Sequence, residues 1–220
     1  MVFCIVTEGN ADEITDLPEC DIAVFGFGIL GDVDYERELK GETEKFEAAA
    51  RLSKNSNCGL ICACRTLSRG LLRKSASVAD RGKLLGITDM TRVLDGEEYK
   101  SGAHLGLYRI GGFKLGVCIG NDLLFADTFK SLSECGCNAV IVLLDELRDN
   151  IPPLLIRAYS YLYGMPVIMC AGKTAYFADV TGAIASSNQS RALFEVTPQN
   201  RYHVVTSRVR GAADMEKLDY

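Results

Sequence analysis

The chain has 220 residues, 48% of them hydrophobic and 24% charged, with 29 acidic against 24 basic side chains. This balance is typical of a soluble globular protein, and the net charge of −5 argues against nucleic-acid binding, which needs a surplus of lysine and arginine. The short basic stretch 65–81 is interrupted by apolar residues and is interpreted as a solvated strand edge and loop. No apolar run approaches the roughly 20 residues of a membrane helix, and residues 1–6 are too short for a signal peptide. We therefore expect a cytoplasmic protein with no membrane partner.

Short apolar runs alternate with helical stretches in the first part of the chain. Residues 2–6, 21–25 and 59–65 have the composition of strands, and 11–17 is predicted to form a short helix. Residues 36–54 are predicted to form one long amphipathic helix. The pattern is that of an alternating α/β protein.

The rest of the chain adds strands faster than helices. Antiparallel strands are predicted at 75–79, 82–88 and 105–110, with Asp80-Arg81-Gly82 as a hairpin turn. Helices are predicted through 129–134 and over 152–163, where two prolines occupy the first turn. Further strands are predicted at 115–119, 139–144, 167–171, 175–180, 192–196 and 203–208.

These elements predict a single α/β (α+β) domain over residues 1–220, with a C-terminal tail from about 210. No linker, repeat or low-complexity tract interrupts the sequence. The number of strands favours two sheets, since one sheet of that size is uncommon.

The cysteines and histidines do not form a metal-binding pattern. Cys135 and Cys137 flank a glycine without a further ligand nearby, and His104 and His203 are isolated. Most of the other cysteines lie in apolar strand-like runs, namely Cys4, Cys62, Cys64, Cys118 and Cys170. We therefore expect reduced, buried thiols, no metal and no cofactor.

A dinucleotide-binding motif is present in literal form directly after the second strand, as Gly26-Phe27-Gly28-Ile29-Leu30-Gly31. In that motif the glycines let the backbone approach a pyrophosphate at a helix N-terminus. Here Asp32, Asp34 and Glu36 follow at once, and such an acidic cluster repels phosphate. Dinucleotide binding is kept as an alternative.

A second motif lies at residues 115–127, which read Leu-Gly-Val-Cys-Ile-Gly-Asn-Asp-Leu-Leu-Phe-Ala-Asp. The segment resembles the nucleophile segment of the nitrilase (carbon–nitrogen hydrolase) superfamily, Gly-Val-x-Ile-Cys-Tyr/Trp-Asp-x-x-Phe-Pro-Glu. Residues 72–85 are similar to the family's Asn-Ser-Ala strand and Asp-x-x-Gly-Lys hairpin, and 157–173 to its later helix and strand. The residues that match the nucleophile segment are Gly116, Val117, Ile119, Asp122 and Phe125, with Asp127 as a near match.

The resemblance implies a four-layer α-β-β-α sandwich of two mixed sheets, and it also locates the catalytic positions. Members of the family use a cysteine nucleophile, a glutamate base and a lysine that stabilises the oxyanion. Carried over along the matching segments, the nucleophile falls on Gly120, the base on Phe27 and the lysine on Met90. None of these replacements can transfer a proton, so the resemblance implies a degenerate triad without catalytic residues.

We therefore interpret the chain as a catalytically inactive homologue, retained for ligand binding or assembly. Its relic pocket is predicted from Phe27, Met90, Gly120, Asn121 and Asp122, and is expected to be apolar and to suit a small neutral ligand. Asp122 is expected to accept backbone hydrogen bonds as a structural acid.

Two further hypotheses stay open. An amidase with relocated residues is one, and Cys118, two residues before the nucleophile position, is its candidate nucleophile. Such a thiol is expected to be buried and inert. The other is a homo-oligomer, predicted as a dimer, formed through the helix at 152–163 with Leu154, Leu155, Tyr159 and Leu162.

Overall fold

Two mixed β-sheets face each other in the computed structural model, which describes residues 1–201. The first sheet contains β1 (Val2–Val6), β2 (Ile22–Phe25), β3 (Val33–Asp34), β4 (Gly59–Ser68), β5 (Leu71–Asp80), β6 (Lys83–Asp89) and β13 (Arg191–Glu195). The second contains β7 (Gly106–Ile110), β8 (Phe113–Ile119), β9 (Ala139–Leu144), β10 (Val167–Ala171), β11 (Thr174–Ala178) and β12 (Ile184–Ser187).

Each sheet combines a parallel centre with antiparallel flanks. The order of the first is β13-β1-β2-β4-β5-β6, with β3 beside β4, and that of the second is β12-β11-β10-β9-β8-β7. Strands β1, β2 and β4 are parallel, as are β8, β9 and β10. Parallel strands are normally buried on both faces, which explains the unbroken aliphatic sequence of Ala139–Leu144.

The helices cover the outer faces of the two sheets. They are α1 (Tyr35–Leu39), α2 (Lys45–Asn55), α3 (Ala126–Glu134) and α4 (Ile151–Tyr163), with a 3-10 helix at Gly120–Leu124. Phe46 and Leu52 of α2 pack on the first sheet, and Phe129 of α3 and Ile156 of α4 pack on the second. The layers therefore follow the order helix, sheet, sheet, helix, which confirms the predicted sandwich.

The largest buried cluster lies between the two sheets. Phe3 and Ile61 of the first sheet meet Ile119, Ile141 and Leu143 of the second there. All five are at most 1% exposed. Fully burying such a side chain contributes about 1.5–3 kcal/mol, so this inter-sheet cluster is a main source of stability.

Two helix predictions are wrong. Residues 11–13 form a turn and 14–17 have no regular structure, because the Asn10 side chain accepts the amide of Asp12 and Pro18 follows closely. The predicted helix 36–54 is two helices, since Gly41 adopts a left-handed φ of 70° and ends the first. The apolar stripe belongs to the second helix alone.

Other differences concern strands. The basic stretch 65–81 is the β4–β5 hairpin, closed by Arg69 and Gly70 with positive φ, and not a solvated edge. Strands β3 and β12 were not predicted, because the first has two residues and the second is short and mostly exposed. The predicted strand 203–208 and the tail from 210 lie outside the described residues.

Helix α4 presents only half of the predicted dimer surface to solvent. Leu154 and Leu162 are 57% and 47% exposed. Tyr159 is buried and Leu155 packs against the cluster beneath the helix, since these positions face the second sheet. The dimer stays a prediction.

Candidate functional site

A buried carboxylate fixes the end of β8 to the segment after β6. Asp122 is 2% exposed, and its Oδ1 accepts the amide of Thr91 at 2.9 Å and that of Arg92 at 2.8 Å. The Thr91 hydroxyl donates to Oδ1 at 2.8 Å, and the amide of Ile119 donates to Oδ2 at 3.4 Å. Burial raises the pKa of Asp122, and these hydrogen bonds oppose the rise. Asp122 is thus placed to act as a structural acid that holds two segments together.

Gly120 and Met90 meet at this junction. Gly120 has a left-handed φ of 55°, and a Cβ atom added to it would stand 2.6 Å from the sulfur of Met90. Met90 is fully buried, and the Asn121 amide donates to its sulfur at 3.4 Å. The space that a side chain at position 120 needs is therefore occupied by Met90.

A cavity of about 440 Å³ lies over Gly120, and we call it the main cavity. Six charged residues line it, namely Lys74, Glu97, Asp145, Glu146, Arg148 and Asp149. Six apolar residues also line it, namely Leu94, Leu123, Leu124, Leu144, Ile151 and Pro152. The main cavity therefore combines an extensive apolar lining with charged residues that the resemblance did not predict.

Lys74 is a charged residue of the main cavity that lies close to Gly120. It lies on β5, where its carbonyl accepts the Met90 amide at 2.8 Å. Its Nζ is 2.9 Å from Asp145 Oδ2 and 4.9 Å from the centre of the Tyr99 ring. Its Cδ would be 3.6 Å from a Cβ at Gly120. An ammonium group therefore stands beside the position assigned to the nucleophile, although Met90 replaces the expected lysine.

Asp145 joins two strands of one sheet to the other sheet. Arg65 and Lys74 are opposite each other across β4 and β5, and both pair with Asp145, at 3.6 Å and 2.9 Å. Oδ1 of Asp145 is buried and has no hydrogen-bond donor. Glu97 also lines the cavity, and its Oε2 accepts a hydrogen bond from the Asn121 side-chain amide at 2.7 Å. Asp145 is therefore paired with two cations, whereas Glu97 accepts a hydrogen bond from a neutral amide.

Comparison with known proteins identifies the fold. No family model and no curated protein matches the sequence. Among solved structures, a cysteine-to-serine variant of the Nesterenkonia AN1 amidase from the nitrilase superfamily superposes with a TM-score of 0.73 at 11% identity, over 98% of this chain and 97% of that one. Another variant of the Nesterenkonia amidase, with acrylamide added at its active-site cysteine, gives 0.72 at 10% identity over 96% and 99%. The chain has the nitrilase-superfamily fold.

The structure brings together four of the five residues assigned to the relic pocket. Met90, Gly120, Asn121 and Asp122 are in contact or adjacent, but only Gly120 and Asn121 line the main cavity. Phe27 is partly buried against the inter-sheet cluster that contains Met90, and it is not among the lining residues. Phe27 and Met90, which were assigned to the catalytic positions, thus pack with the core of this nitrilase fold.

The six charged residues of the main cavity were all missed from the sequence. Lys74 stands where the family's Asn-Ser-Ala strand has its asparagine, and this departure is the one signal that could have pointed to it. Asp145 directly follows a buried parallel strand, a place where functional side chains collect in α/β proteins. Nothing in the sequence points to Glu97, which reaches the cavity from a loop.

The alternative nucleophile Cys118 lies on the wrong side of its strand. It is fully buried among residues that pack beneath α3 and α4, and it does not line the main cavity. Burial raises the pKa of the Cys118 thiol well above its usual value. In this nitrilase fold Cys118 is a core residue.

The glycine-rich motif does not begin a helix. Gly28 and Gly31 adopt positive φ in turns, and the chain then enters β3. The five-residue α1 has its own cap, since the Asp34 side chain accepts the amides of Glu36 and Arg37. The glycine-rich motif is therefore not followed directly by the helix N-terminus that binds a pyrophosphate in dinucleotide-binding proteins. In this respect the nitrilase fold differs from the dinucleotide-binding fold.

Within residues 1–201 no group of three histidine, cysteine or acidic side chains is arranged to hold a metal ion. All nine cysteines are free thiols. No helix of the same residues is long and apolar enough to cross a membrane.

Proposed function

We propose that this chain is a catalytically silent member of the nitrilase superfamily that binds a small ligand in the main cavity. One observation supports the loss of catalysis above all others: the sulfur of Met90 occupies the space that a side chain at position 120 requires. Nitrilase-type chemistry starts with a thiolate in that place, and removing a nucleophile typically costs several orders of magnitude in rate.

The remaining lining residues do not supply a substitute. Among the described residues, no cysteine, serine, threonine or histidine lines the main cavity. Lys74 lies there, but its ammonium group is engaged by the Asp145 carboxylate at 2.9 Å and by the Tyr99 ring at 4.9 Å. These contacts support a binding role for Lys74.

The lining of the main cavity indicates the chemical class of the ligand. A volume of about 440 Å³ lies within the range of roughly 300–1,000 Å³ that is typical of small-molecule sites. The Lys74–Asp145 ion pair offers hydrogen-bonding groups to a ligand, and Leu94 and Leu124 offer apolar contacts. The ligand that fits is small and neutral overall, with a polar head, such as an amide or a zwitterionic amino compound, and a short aliphatic part.

A thermal-shift screen of neutral amides, nitriles and amino acids tests the binding role. We expect at least one compound to raise the melting temperature, and Lys74→Met to weaken its affinity about tenfold or more, because a hydrogen bond to a charged group is worth about 1.5–3 kcal/mol. Calorimetry on each hit gives the affinity directly.

Lys130→Met serves as the matched control, since Lys130 is an exposed lysine of α3 that pairs with Glu134 and does not line the main cavity. Each variant is compared with its own unliganded melting temperature, so a change in basal stability does not affect the result. A library that stabilises nothing, or hits that bind Lys74→Met as tightly as the parent, would contradict the proposed binding site.

A further inference from the structure

The main cavity presents two opposite charges side by side in a largely buried position. Lys74 Nζ lies 2.9 Å from Asp145 Oδ2, and the two side chains are only 15% and 20% exposed. The other ion pair of the lining, Arg148 with Glu146, is 81% and 59% exposed and is therefore screened by solvent. A charged group of a ligand consequently interacts most strongly with the Lys74–Asp145 pair.

Both members of this pair have hydrogen-bonding capacity left. A lysine ammonium group carries three donors, and the hydrogen-bonding distance of 2.9 Å to Asp145 accounts for one of them. A carboxylate offers about four acceptor positions, and Oδ1 of Asp145 has no hydrogen-bond donor among residues 1–201. A ligand with an anionic acceptor next to a cationic donor would therefore find a partner for each.

The rest of the lining carries a surplus of negative charge. Four of its side chains are acidic and two are basic. Glu97 accepts hydrogen bonds from neutral groups, the Asn121 side-chain amide at 2.7 Å and the Leu94 backbone amide at 3.2 Å. Asp149 accepts the backbone amide of Ile151 at 2.8 Å. Because neutral donors leave the charge of both carboxylates in place, the main cavity favours a ligand with a protonated amino group.

Three large apolar side chains of the lining are open to solvent. Leu94, Leu124 and Ile151 are 43%, 49% and 49% exposed. Each ligand methylene that is buried against them is worth about 0.8 kcal/mol, which is about fourfold in affinity. An aliphatic group on the ligand would therefore bind here.

We propose that the ligand of the main cavity is an α-amino acid with a short aliphatic side chain, an inference that rests on the proposed ligand binding. Its carboxylate accepts a hydrogen bond from Lys74, and its ammonium group donates to Asp145 and is attracted by Glu97. An α-amino acid carries both groups on one carbon, as a pair of opposite charges 2.9 Å apart requires. A simple amide makes weaker contacts here, since hydrogen bonds between charged groups are about twice as strong as neutral ones.

Calorimetry with four compounds that share one branched aliphatic chain tests this inference. L-Leucine carries both charged groups, isocaproate lacks the amino group, isoamylamine lacks the carboxylate, and isocaproamide is uncharged. We expect L-leucine to bind about tenfold or more tightly than each of the other three, because a hydrogen bond to a charged group is worth at least that factor. Glycine, which lacks the aliphatic chain, should also bind about tenfold or more weakly than L-leucine.

Glu97→Gln tests the recognition of the amino group separately. The substitution keeps the shape of the side chain and an oxygen that accepts the Asn121 amide, but it removes the negative charge. We expect L-leucine to bind about threefold or more weakly, because its ammonium group loses a nearby opposite charge, and isocaproate to bind no more weakly than before. Glu134→Gln is the matched control, since Glu134 is an exposed glutamate of α3 that pairs with Lys130 and does not line the main cavity.

The outcomes separate this inference from the proposed function. If isocaproamide or another compound binds and is weakened by Lys74→Met, while L-leucine does not bind, the main cavity has a ligand and the inference is wrong. Isocaproate or isoamylamine binding as tightly as L-leucine would also overturn it, as would equal affinities of Glu97→Gln and Glu134→Gln for L-leucine. If no compound shows binding that depends on Lys74, the proposed function fails and the inference fails with it.

Discussion

Gly120→Cys is expected to lower the free energy of unfolding by about 2–5 kcal/mol without creating a nucleophile. The left-handed φ of 55° costs a side chain about 1–2 kcal/mol, and the added Cβ meets the Met90 sulfur at 2.6 Å. Met90 is fully enclosed, so moving its sulfur disturbs the core and also removes the acceptor of the Asn121 amide. Overpacking of this kind costs about 1–3 kcal/mol more. Urea unfolding, followed by circular dichroism, measures the loss.

Gly111→Cys is the matched control for the backbone contribution. Gly111 has a φ of 58°, close to that of Gly120, and a Cβ added there meets nothing within 4 Å. Its substitution should cost only about 1–2 kcal/mol. In a Met90→Ala variant, the loss of unfolding free energy caused by Gly120→Cys should fall towards that smaller value. Equal losses for Gly120→Cys and Gly111→Cys in the parent chain would show that Met90 does not fill the site.

Asp122→Ala is expected to destabilise the chain by about 3 kcal/mol or more, because each buried donor left without an acceptor costs about 1–3 kcal/mol. The amides of Thr91, Arg92 and Ile119 all donate to this carboxylate. Without these hydrogen bonds the segment after β6 is no longer held to the end of β8. The contact between Met90 and Gly120 depends on that attachment. Chemical denaturation gives the size of the effect. Limited proteolysis should also cut near Thr91 sooner.

Thr128→Val provides the comparison for Asp122→Ala. Thr128 is 2% exposed, and its hydroxyl has no hydrogen-bond partner among residues 1–201. Replacing it by an apolar group of the same shape should be neutral or slightly stabilising. If Asp122→Ala is as harmless as Thr128→Val, the carboxylate does not anchor the junction.

The strands were predictable because their apolar runs report burial directly. Ala139–Leu144 and Val167–Ala171 were predicted with the bounds that the structure has, since both faces of these central strands are covered. Helix ends were less predictable, because Gly41 breaks a continuous helical pattern through one backbone angle. Local composition therefore predicts the layers better than it predicts where each helix stops.

The candidate site was predictable only in part. The family resemblance predicted that Met90 and Gly120 lie close together, because it covers the segments that contain both residues. The interaction of Lys74 with Asp145 depends on how the two sheets face each other, and no local pattern contains that information. The residues at the three catalytic positions predicted an apolar pocket. They gave no information about the charged residues that also line the cavity.

Ammonia release from small carboxamides tests the absence of catalysis most directly. Purified chain is incubated with acetamide, propionamide and butyramide, and intact mass is recorded in parallel to detect an acyl group on any cysteine. We expect no ammonia above that of a Cys118→Ala variant and no acyl adduct, because no thiolate reaches the main cavity. Turnover that disappears when one of the chain's own cysteines is replaced, or an acyl adduct on that cysteine, would contradict the account.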